Sequence, residues 1–279
     1  MPTDLDYLVP TSVDEALALK ATPGTAWLLG GTDLLPQMRA GRKAPQRLVD
    51  LKRIAALHEI RDESDGGLSI GAAVPLADIE TYPGVLDRFP LLAECAKTVG
   101  AWPLRQRATL AGNLCNACPA ADTAVALLAF DAEVRVVSMT GRRSIPLREF
   151  FLGPGQSALL ADELVTDVVL PGISAGFKGS YQRLSRRKGM DLATVGVLVG
   201  KSNGTLPARW RVALAAVAPT PLRLRAVEEL LEAKGVAAAS EAAEAAKTAC
   251  RPISDLRGSA EYRREMVGVL VRRGALSLG

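Results

Sequence analysis

Residues 109–122 read TLAGNLCNACPAAD, and this run of small side chains constrains the fold more than any other stretch. It is too polar for a core strand and too apolar for an ordinary surface loop. A few hydrogen-bonding side chains are spaced along it: Thr109, Asn113, Asn116 and Asp122. A backbone with so little side-chain bulk lets a ligand approach closely, so the stretch predicts a pocket wall. Asp122 also precedes a predicted helix, where a role as N-cap is equally open.

A second stretch, LLGGTDLL at 28–35, follows an apolar run at 26–29 that predicts a buried strand. Gly30 and Gly31 have no Cβ, so they permit positive φ and close contact between backbone and ligand. Successive N–H groups there would form an anion-binding nest before a helical turn that reaches Met38, with the Thr32 hydroxyl as a further donor. An ordinary strand-to-helix turn is the alternative interpretation of these residues.

The composition fits a folded protein of about two domains. Of the 279 residues, 48% are hydrophobic and 23% charged, enough apolar material for a sizeable core at about 150 residues per domain. The net charge of +4 is small and aromatic residues are only 4%, so we expect no nucleic-acid partner. No uninterrupted apolar run of about 18 residues occurs, so no transmembrane segment is expected. The N-terminal MPTDLDYLVP lacks a signal-peptide pattern, which favours a cytoplasmic location.

The scarcity of reactive side chains limits the kinds of catalytic site that the chain can form. His58 is the only histidine, which argues against Ser-His-Asp triads and multi-histidine zinc sites and favours a bound cofactor as the reactive group. Cys115 and Cys118 form a CxxC, for which half of a metal site, a redox dithiol and two small thiols lining a loop are the alternatives. The last is favoured, since Cys95 and Cys250 stand at no standard metal-ligand spacing. We predict no catalytic side chain and no metal site.

The hydrophobic pattern changes along the chain. Strands are predicted at 26–29, 47–51, 68–74, 133–137, 143–147, 164–170, 181–185, 194–201 and 211–218. Helices are predicted at 14–20, 89–99, 122–130, 224–233, 237–248 and 259–273. A Gly-, Ser- and Pro-rich segment at 171–179 is the candidate boundary between domains. Strands followed by a run of helices indicate an α+β second domain.

Five segments carry a resemblance to a known family. They are LLGGTDLLPQMR (28–39), ATLAGNLCNACPAADTAVALLAFDAEV (108–134), RLSRRKGMDLATVGV (183–197), VALAAVAPTPLRL (212–224) and DLRGSAEYRREMVGVLVRR (255–273). In this order they resemble the FAD-binding medium subunits of molybdenum hydroxylases. That family includes carbon monoxide dehydrogenase medium chains and xanthine dehydrogenase FAD-binding subunits.

The resemblance implies an α+β fold. A two-subdomain FAD-binding domain of the vanillyl-alcohol-oxidase (PCMH) type would cover 1–175, with subdomains at about 1–55 and 56–175. A C-terminal α+β domain, a three-stranded antiparallel sheet plus helices, would cover 176–279. FAD would lie between the subdomains, bound non-covalently, with both glycine-containing loops around its pyrophosphate.

The resemblance also implies cofactor-binding residues. The first loop would contribute Leu28, Leu29, Gly30, Gly31, Thr32, Asp33, Leu34 and Leu35, and the second Thr109, Ala111, Gly112 and Asn113. Asp122 would hydrogen-bond the cofactor, Val165 would lie near its adenine side, Leu192 would lie near the flavin ring and Arg183 would make a basic contact. Two positions depart from the family. Ala111 replaces a glycine and would place a methyl group near the phosphates, and Gln182-Arg183 stand where relatives often have lysine.

The implied activity is electron transfer within a complex. Electrons would come from a molybdopterin cofactor on a large subunit through [2Fe-2S] clusters on a small subunit, in a heterotrimer or a dimer of heterotrimers. The flavin would pass them to NAD⁺, oxygen, a quinone or another acceptor. Two alternatives are a non-catalytic assembly subunit that has lost FAD and a stand-alone flavin oxidase; Ala111 is the one residue that favours the first, and the single histidine argues against the second.

Overall fold

A small parallel sheet begins the chain. The computed structural model describes residues 5–202 and 209–279. Strands β1 (Asp6–Leu8), β2 (Thr25–Leu28) and β3 (Arg47–Asp50) are parallel in the order β1-β3-β2. Helix α1 (Val13–Lys20) is capped by Ser12, whose hydroxyl accepts from the Glu15 N–H at 3.2 Å. Helix α2 (Leu34–Arg39) follows the glycine pair.

A larger antiparallel sheet comes next, in the order β4-β5-β10-β6-β7. Its strands are β4 (Ile60–Asp62), β5 (Leu68–Gly71), β6 (Glu133–Ser138), β7 (Gly141–Pro146) and β10 (Leu164–Leu170). The predicted pairing of the 133–137 and 143–147 segments is confirmed by the β6–β7 ladder. The predicted strand over 68–74 is shorter, because Ala72–Val74 leave the sheet and pack in the core.

Short helices fill one side of this sheet. They are α3 (Leu76–Thr81), α4 (Pro83–Arg88), α5 (Pro90–Thr98), α6 (Trp102–Arg105), α7 (Leu110–Cys115), α8 (Asp122–Ala129) and α9 (Leu147–Phe150). A hairpin of β8 (Phe151–Gly153) and β9 (Gln156–Ser157) follows α9. Every residue of α8 is buried, as expected for the run DTAVALLA, so α8 is the central helix of this part of the molecule.

A second sheet and three helices complete the fold. The antiparallel order is β11 (Phe177–Leu184), β12 (Val195–Ser202), β13 (Trp210–Ala215) and β14 (Leu222–Arg223). The three predicted strands are confirmed, and the two-residue β14 adds to them. Helices α10 (Arg225–Lys234), α11 (Ala239–Ala249) and α12 (Ala260–Leu276) pack behind this sheet. A Cβ at Gly274 of α12 would lie 2.6 Å from Val199 Cγ2, so α12 packs closely on β12.

The two parts share a hydrophobic core. Phe177, Tyr181 and Leu198 belong to the same buried cluster as α5 and α8. The Phe130 ring lies 5.4 Å from Phe89 and 6.5 Å from Phe177, centroid to centroid. The second sheet therefore lies directly against the helices that follow the first. Among the described residues, no helix is both long and apolar enough to cross a membrane.

Candidate functional site

One cavity joins the two small-residue stretches. Its volume is about 810 Å³, within the range of about 300–1,000 Å³ typical of small-molecule sites. The predicted site residues that line it are Leu28, Leu29, Gly30, Gly31, Thr32, Asp33, Leu34, Thr109, Gly112, Asn113, Val165 and Leu192. Residues about 80 positions apart along the chain thus line one cavity.

The first glycine loop presents backbone donors to this cavity. Gly31 has a φ of +72°, a left-handed conformation that glycine adopts without strain. Within 5–202 and 209–279, the N–H groups of Gly30, Gly31 and Thr32 donate to no protein acceptor. Backbone N–H groups near protein interiors are nearly always paired. Three consecutive unpaired donors at a cavity wall therefore favour an anionic ligand there.

The two loops touch at Gly30. A Cβ on this residue would lie 2.0 Å from the Arg107 carbonyl oxygen and 2.9 Å from Ala108 Cα. Neither backbone atom can move out of the way cheaply, so only glycine permits this approach. Gly30 therefore brings the first loop against the residues that lead into the second.

The second stretch contains a short helix as well as a loop. Thr109 begins α7 as its N-cap, and its hydroxyl accepts from the Gly112 N–H at 3.1 Å. Asn113 follows on the same turn, and its side-chain oxygen accepts from the Thr123 hydroxyl at 2.7 Å. That bond fixes the orientation of the Asn113 amide. Ala111, whose methyl group we expected near the phosphates, is fully buried in the core and is not among the residues that line the cavity.

Asp122 and Arg183 pair with each other instead of lining the cavity. Asp122 is the first residue of α8, so it is not the N-cap, which is Ala121. Its Oδ1 accepts from the Tyr181 hydroxyl at 2.5 Å and from Arg183 Nε at 3.1 Å. Burial raises the pKa of the Asp122 carboxyl, against the opposing effect of Tyr181 and Arg183. Leu35 also lies outside the cavity wall and contacts Gly31 from behind.

Arg183 also holds a segment that covers the cavity. Its guanidinium donates to the Asp191 carbonyl, and Asp191 lines the cavity with its neighbours Met190 and Leu192. Met190 and Leu192 are 53% and 49% exposed, so this part of the wall, 190–192, lies at the protein surface and is called the cover segment below. The Asp122–Tyr181–Arg183 cluster therefore links α8 to the cover.

Sequence reasoning missed several lining residues. Trp27, Lys43, Leu51, Leu104, Leu159 and Glu163 all line the cavity, as do Met190 and Asp191. Met190 and Asp191 could have been predicted to line the cavity, because they are neighbours of Leu192, a predicted flavin contact. The others come from strand, loop or short-helix positions with no distinguishing local pattern.

The CxxC lies at the edge of the site. Cys115 lines the cavity, and neither Cys115 nor Cys118 forms a disulfide. Burial raises the pKa of the Cys115 thiol to about 12, so it is protonated at neutral pH. In the part of the chain that the structure describes, no group of three or more His, Cys, Asp or Glu side chains is placed to hold a metal ion.

The arrangement suits an extended ligand with an anionic centre. The unpaired donors of the first loop could bind a negatively charged group, while Leu29, Leu51, Leu104 and Val165 offer apolar walls to rings. A dinucleotide has both features. The residues present therefore fit FAD, whose diphosphate would lie at the glycine loop.

Comparisons with known proteins agree with this geometry. Residues 3–173 match the family model described as the FAD-binding domain in molybdopterin dehydrogenase. Residues 180–278 match the model of the CO dehydrogenase flavoprotein C-terminal domain.

Relatives resemble the chain over nearly its whole length. The carbon monoxide dehydrogenase medium chain of Hydrogenophaga pseudoflava is 35% identical, over 98% of this chain and 96% of that one. The nicotine 6-hydroxylase medium subunit of Paenarthrobacter nicotinovorans is 31% identical, over 98% and 96%. Among solved structures, carbon monoxide dehydrogenase from Hydrogenophaga pseudoflava superposes with a TM-score of 0.92 at 35% identity, over 99% of both chains. Quinoline 2-oxidoreductase from Pseudomonas putida 86 gives 0.90 at 28% identity, over 98% and 96%.

Proposed function

The chain belongs to the family of FAD-binding medium subunits of molybdenum hydroxylases, and we propose that it binds FAD non-covalently and passes electrons from a partner's [2Fe-2S] clusters to an external acceptor. Bound flavin would supply the one- and two-electron chemistry that links the [2Fe-2S] clusters to the external acceptor. The chain contributes binding, orientation of the ring and exclusion of water. No acid–base side chain is assigned a catalytic role.

The proposed contacts follow the cavity walls. The N–H groups of Gly30, Gly31 and Thr32 would donate to the diphosphate, helped by Gly112 and Asn113 of the second stretch. Val165 would lie near the adenine side and Leu192 near the flavin ring. The remaining proposed binding residues act from the same loops: Leu28, Leu29, Asp33 and Leu34 line the first, and Thr109 lines the second.

Four of the expected binding residues act indirectly in this proposal. Leu35 packs behind Gly31, and Ala111 anchors α7 in the core. Asp122 and Arg183 hold the cover segment that carries Leu192. Their effect on FAD would therefore pass through the walls that they position.

The observation that carries the proposal is the row of unpaired N–H donors at one end of a cavity built from both small-residue stretches. The donors account for a diphosphate, and the apolar walls account for the rings. The division into a FAD-binding domain at 1–175 and a C-terminal domain at 176–279 belongs to the same proposal.

The partners in the proposal are a large molybdenum-cofactor subunit and a small [2Fe-2S] subunit, in a heterotrimer or a dimer of heterotrimers. Such an assembly would operate in the cytoplasm. The named relatives are medium chains or subunits of multi-subunit enzymes, which supports this arrangement.

Reconstitution tests the proposal directly. The full chain is incubated with FAD and desalted, and its visible spectrum is recorded before and after acid precipitation. We expect a flavin spectrum that the precipitation releases into the supernatant. The complex with both partner subunits should then show flavin reduction when the molybdenum substrate is added. Absence of flavin from the desalted chain, or flavin that stays oxidised in an active complex, would contradict the proposal.

A further inference from the structure

A lysine lies directly behind the first glycine loop. Lys52 Nζ donates to the Leu29 carbonyl oxygen at 3.0 Å and to Asp50 Oδ1 at 2.6 Å. Leu29 immediately follows β2, and Lys52 follows Asp50 at the end of β3, which pairs with Leu28. The lysine thus bridges the carboxyl ends of two neighbouring parallel strands.

A hydrogen-bond network around a buried carboxylate fixes the position of this ammonium group. Asp50 is only 4% exposed, and its Oδ1 accepts from both the Lys52 N–H, at 3.0 Å, and the Lys52 ammonium. Its Oδ2 accepts from the Tyr7 hydroxyl of β1. Burial alone would raise the pKa of Asp50, but the hydrogen bonds from Lys52 and Tyr7 outweigh it and lower that pKa. The carboxylate therefore stays charged and holds Lys52 at neutral pH.

The bond to Leu29 sets the direction of the next N–H. A trans peptide is planar, with its C=O and N–H pointing in opposite directions. Because the Leu29 carbonyl points at Lys52, the Gly30 N–H points away from Lys52. Gly30 lines the cavity and Lys52 does not. The Gly30 donor is one of the three without a protein acceptor in the described ranges.

We infer that Lys52 is a positioning residue for the cofactor: by holding the Leu29 carbonyl, it orients the Gly30 N–H toward the FAD diphosphate, with Asp50 and Tyr7 as its support. This inference rests on the proposed function. Without the ammonium, the Leu29–Gly30 peptide is free to rotate, since glycine resists rotation less than any other residue. The donor would then have to be ordered at the moment of binding, which weakens affinity.

The chain offers a matched control in Lys20. Its Nζ also donates to a β2 carbonyl, that of Thr25 at 2.5 Å, and it lies 5.4 Å from the centre of the Trp27 ring. Thr25 and Trp27 line the same cavity. Lys20→Met therefore removes the same kind of bond from the same strand, but away from the glycine loop.

The test compares Lys52→Met with Lys20→Met in the full chain, with FAD and ADP as probes. ADP carries the diphosphate without the flavin ring. We expect Lys52→Met to weaken both ligands by about tenfold, the effect of about one hydrogen bond, and Lys20→Met to change both by less than about twofold. At saturating FAD, the visible flavin bands of Lys52→Met should match those of the wild type, because the ring environment is intact. Tyr7→Phe should weaken both ligands by about two- to threefold and serves as the second variant if Lys52→Met fails to fold.

Each other outcome overturns the inference. Unchanged affinity in Lys52→Met and Tyr7→Phe shows that the network does not position the donor. Equal losses in Lys52→Met and Lys20→Met, or shifted flavin bands, indicate general damage to β2. Failure of the wild-type chain to bind either probe overturns the proposed function as well, so the two failures are distinguishable.

Discussion

Gly31 shows what a single residue contributes to the site. Its positive φ lets the chain turn from β2 into α2 while the N–H groups on both sides stay at the cavity wall. A Cβ there would lie 3.1 Å from Leu35 Cδ1 and 3.2 Å from Leu28 Cδ1. A side chain would therefore be strained by its backbone conformation and crowded by two leucines.

Replacing Gly31 by arginine should abolish FAD binding, because a side chain there collides with Leu28 and Leu35 and forces the first loop, with its N–H donors, out of position. Gly41→Arg is the control: Gly41 also has a positive φ, of +69°, but nothing lies within 4 Å of its Cβ position. Both changes cost about 1–2 kcal/mol of backbone energy. Equilibrium titration with FAD should show binding in Gly41→Arg alone. Comparable affinity in both variants would place the cofactor elsewhere.

Asp122 shows where local sequence reasoning stops. Its position before an apolar run fitted either a cap or a ligand contact. The structure instead pairs it with Tyr181 and Arg183, 59 and 61 residues away. No local pattern encodes such a pairing, because it exists only once the second sheet packs against α8. The turn at Gly31 was predictable because its positive φ is a local requirement, whereas the requirement for glycine at position 30 comes from its distant contact with Arg107.

At the scale of secondary-structure elements, the long elements were easier to predict from the sequence than the short ones. Helix α12 and strand β10 are long, and their predicted positions are confirmed to within three residues. Helix α7 was expected to be a loop, since LAGNLC contains a glycine and an asparagine, both poor helix formers. The Thr109 cap and the burial of Leu110, Ala111 and Leu114 stabilise it nevertheless. Tertiary packing thus overrides weak propensity.

The Thr109 cap should affect both stability and binding. Thr109→Ala removes the acceptor for the Gly112 N–H, which should lower the free energy of unfolding by about 1 kcal/mol. It should also weaken FAD by about fivefold, because α7 places Gly112 and Asn113 at the cavity. Ser259→Ala is the control. It removes the N-cap of α12, where the Ser259 hydroxyl accepts from the Tyr262 N–H at 3.1 Å.

Chemical denaturation and FAD titration of both cap variants measure these effects. The Ser259→Ala variant should lose similar stability and bind FAD normally. Normal FAD affinity in Thr109→Ala would mean that the start of α7 makes no difference to the cofactor.

At the scale of the whole molecule, ion pairs at Asp131 connect the two parts of the fold. Asp131 lies two residues after the end of α8. Its Oδ1 lies 2.5 Å from Arg223 and 2.9 Å from Arg225. Arg211 lies 3.7 Å from its Oδ2, and stacks 4.9 Å from the centre of the Phe177 ring. Charged contacts therefore surround the aromatic contact between Phe130 and Phe177.

The Asp131 ion pairs should make stability depend on pH. Burial would raise the pKa of Asp131, but the hydrogen bond and charge of Arg223 outweigh it and lower that pKa below its ordinary value of 3.8. The folded state then binds the proton less tightly than the unfolded state, so the contribution is present above about pH 4 and is lost as pH falls below it. Asp131→Asn suits the position, because asparagine tolerates the positive φ of 54°.

Urea denaturation at pH 7 and pH 3 tests this expectation. Asp131→Asn should lose about 1 kcal/mol at pH 7 and less at pH 3, because the unfolded wild-type chain is largely protonated at this carboxyl below its ordinary pKa of 3.8. A loss of equal size at both pH values would show that the charge of Asp131 is not what stabilises the interface.

The order in which the cavity walls occur along the chain has a consequence for biosynthesis. Walls from 24–45, 99–116 and 159–165 are synthesised first, and the cover at 190–192 is synthesised last. The cavity can therefore be complete only after residue 192 has been synthesised, when translation has already passed β11, the first strand of the second sheet.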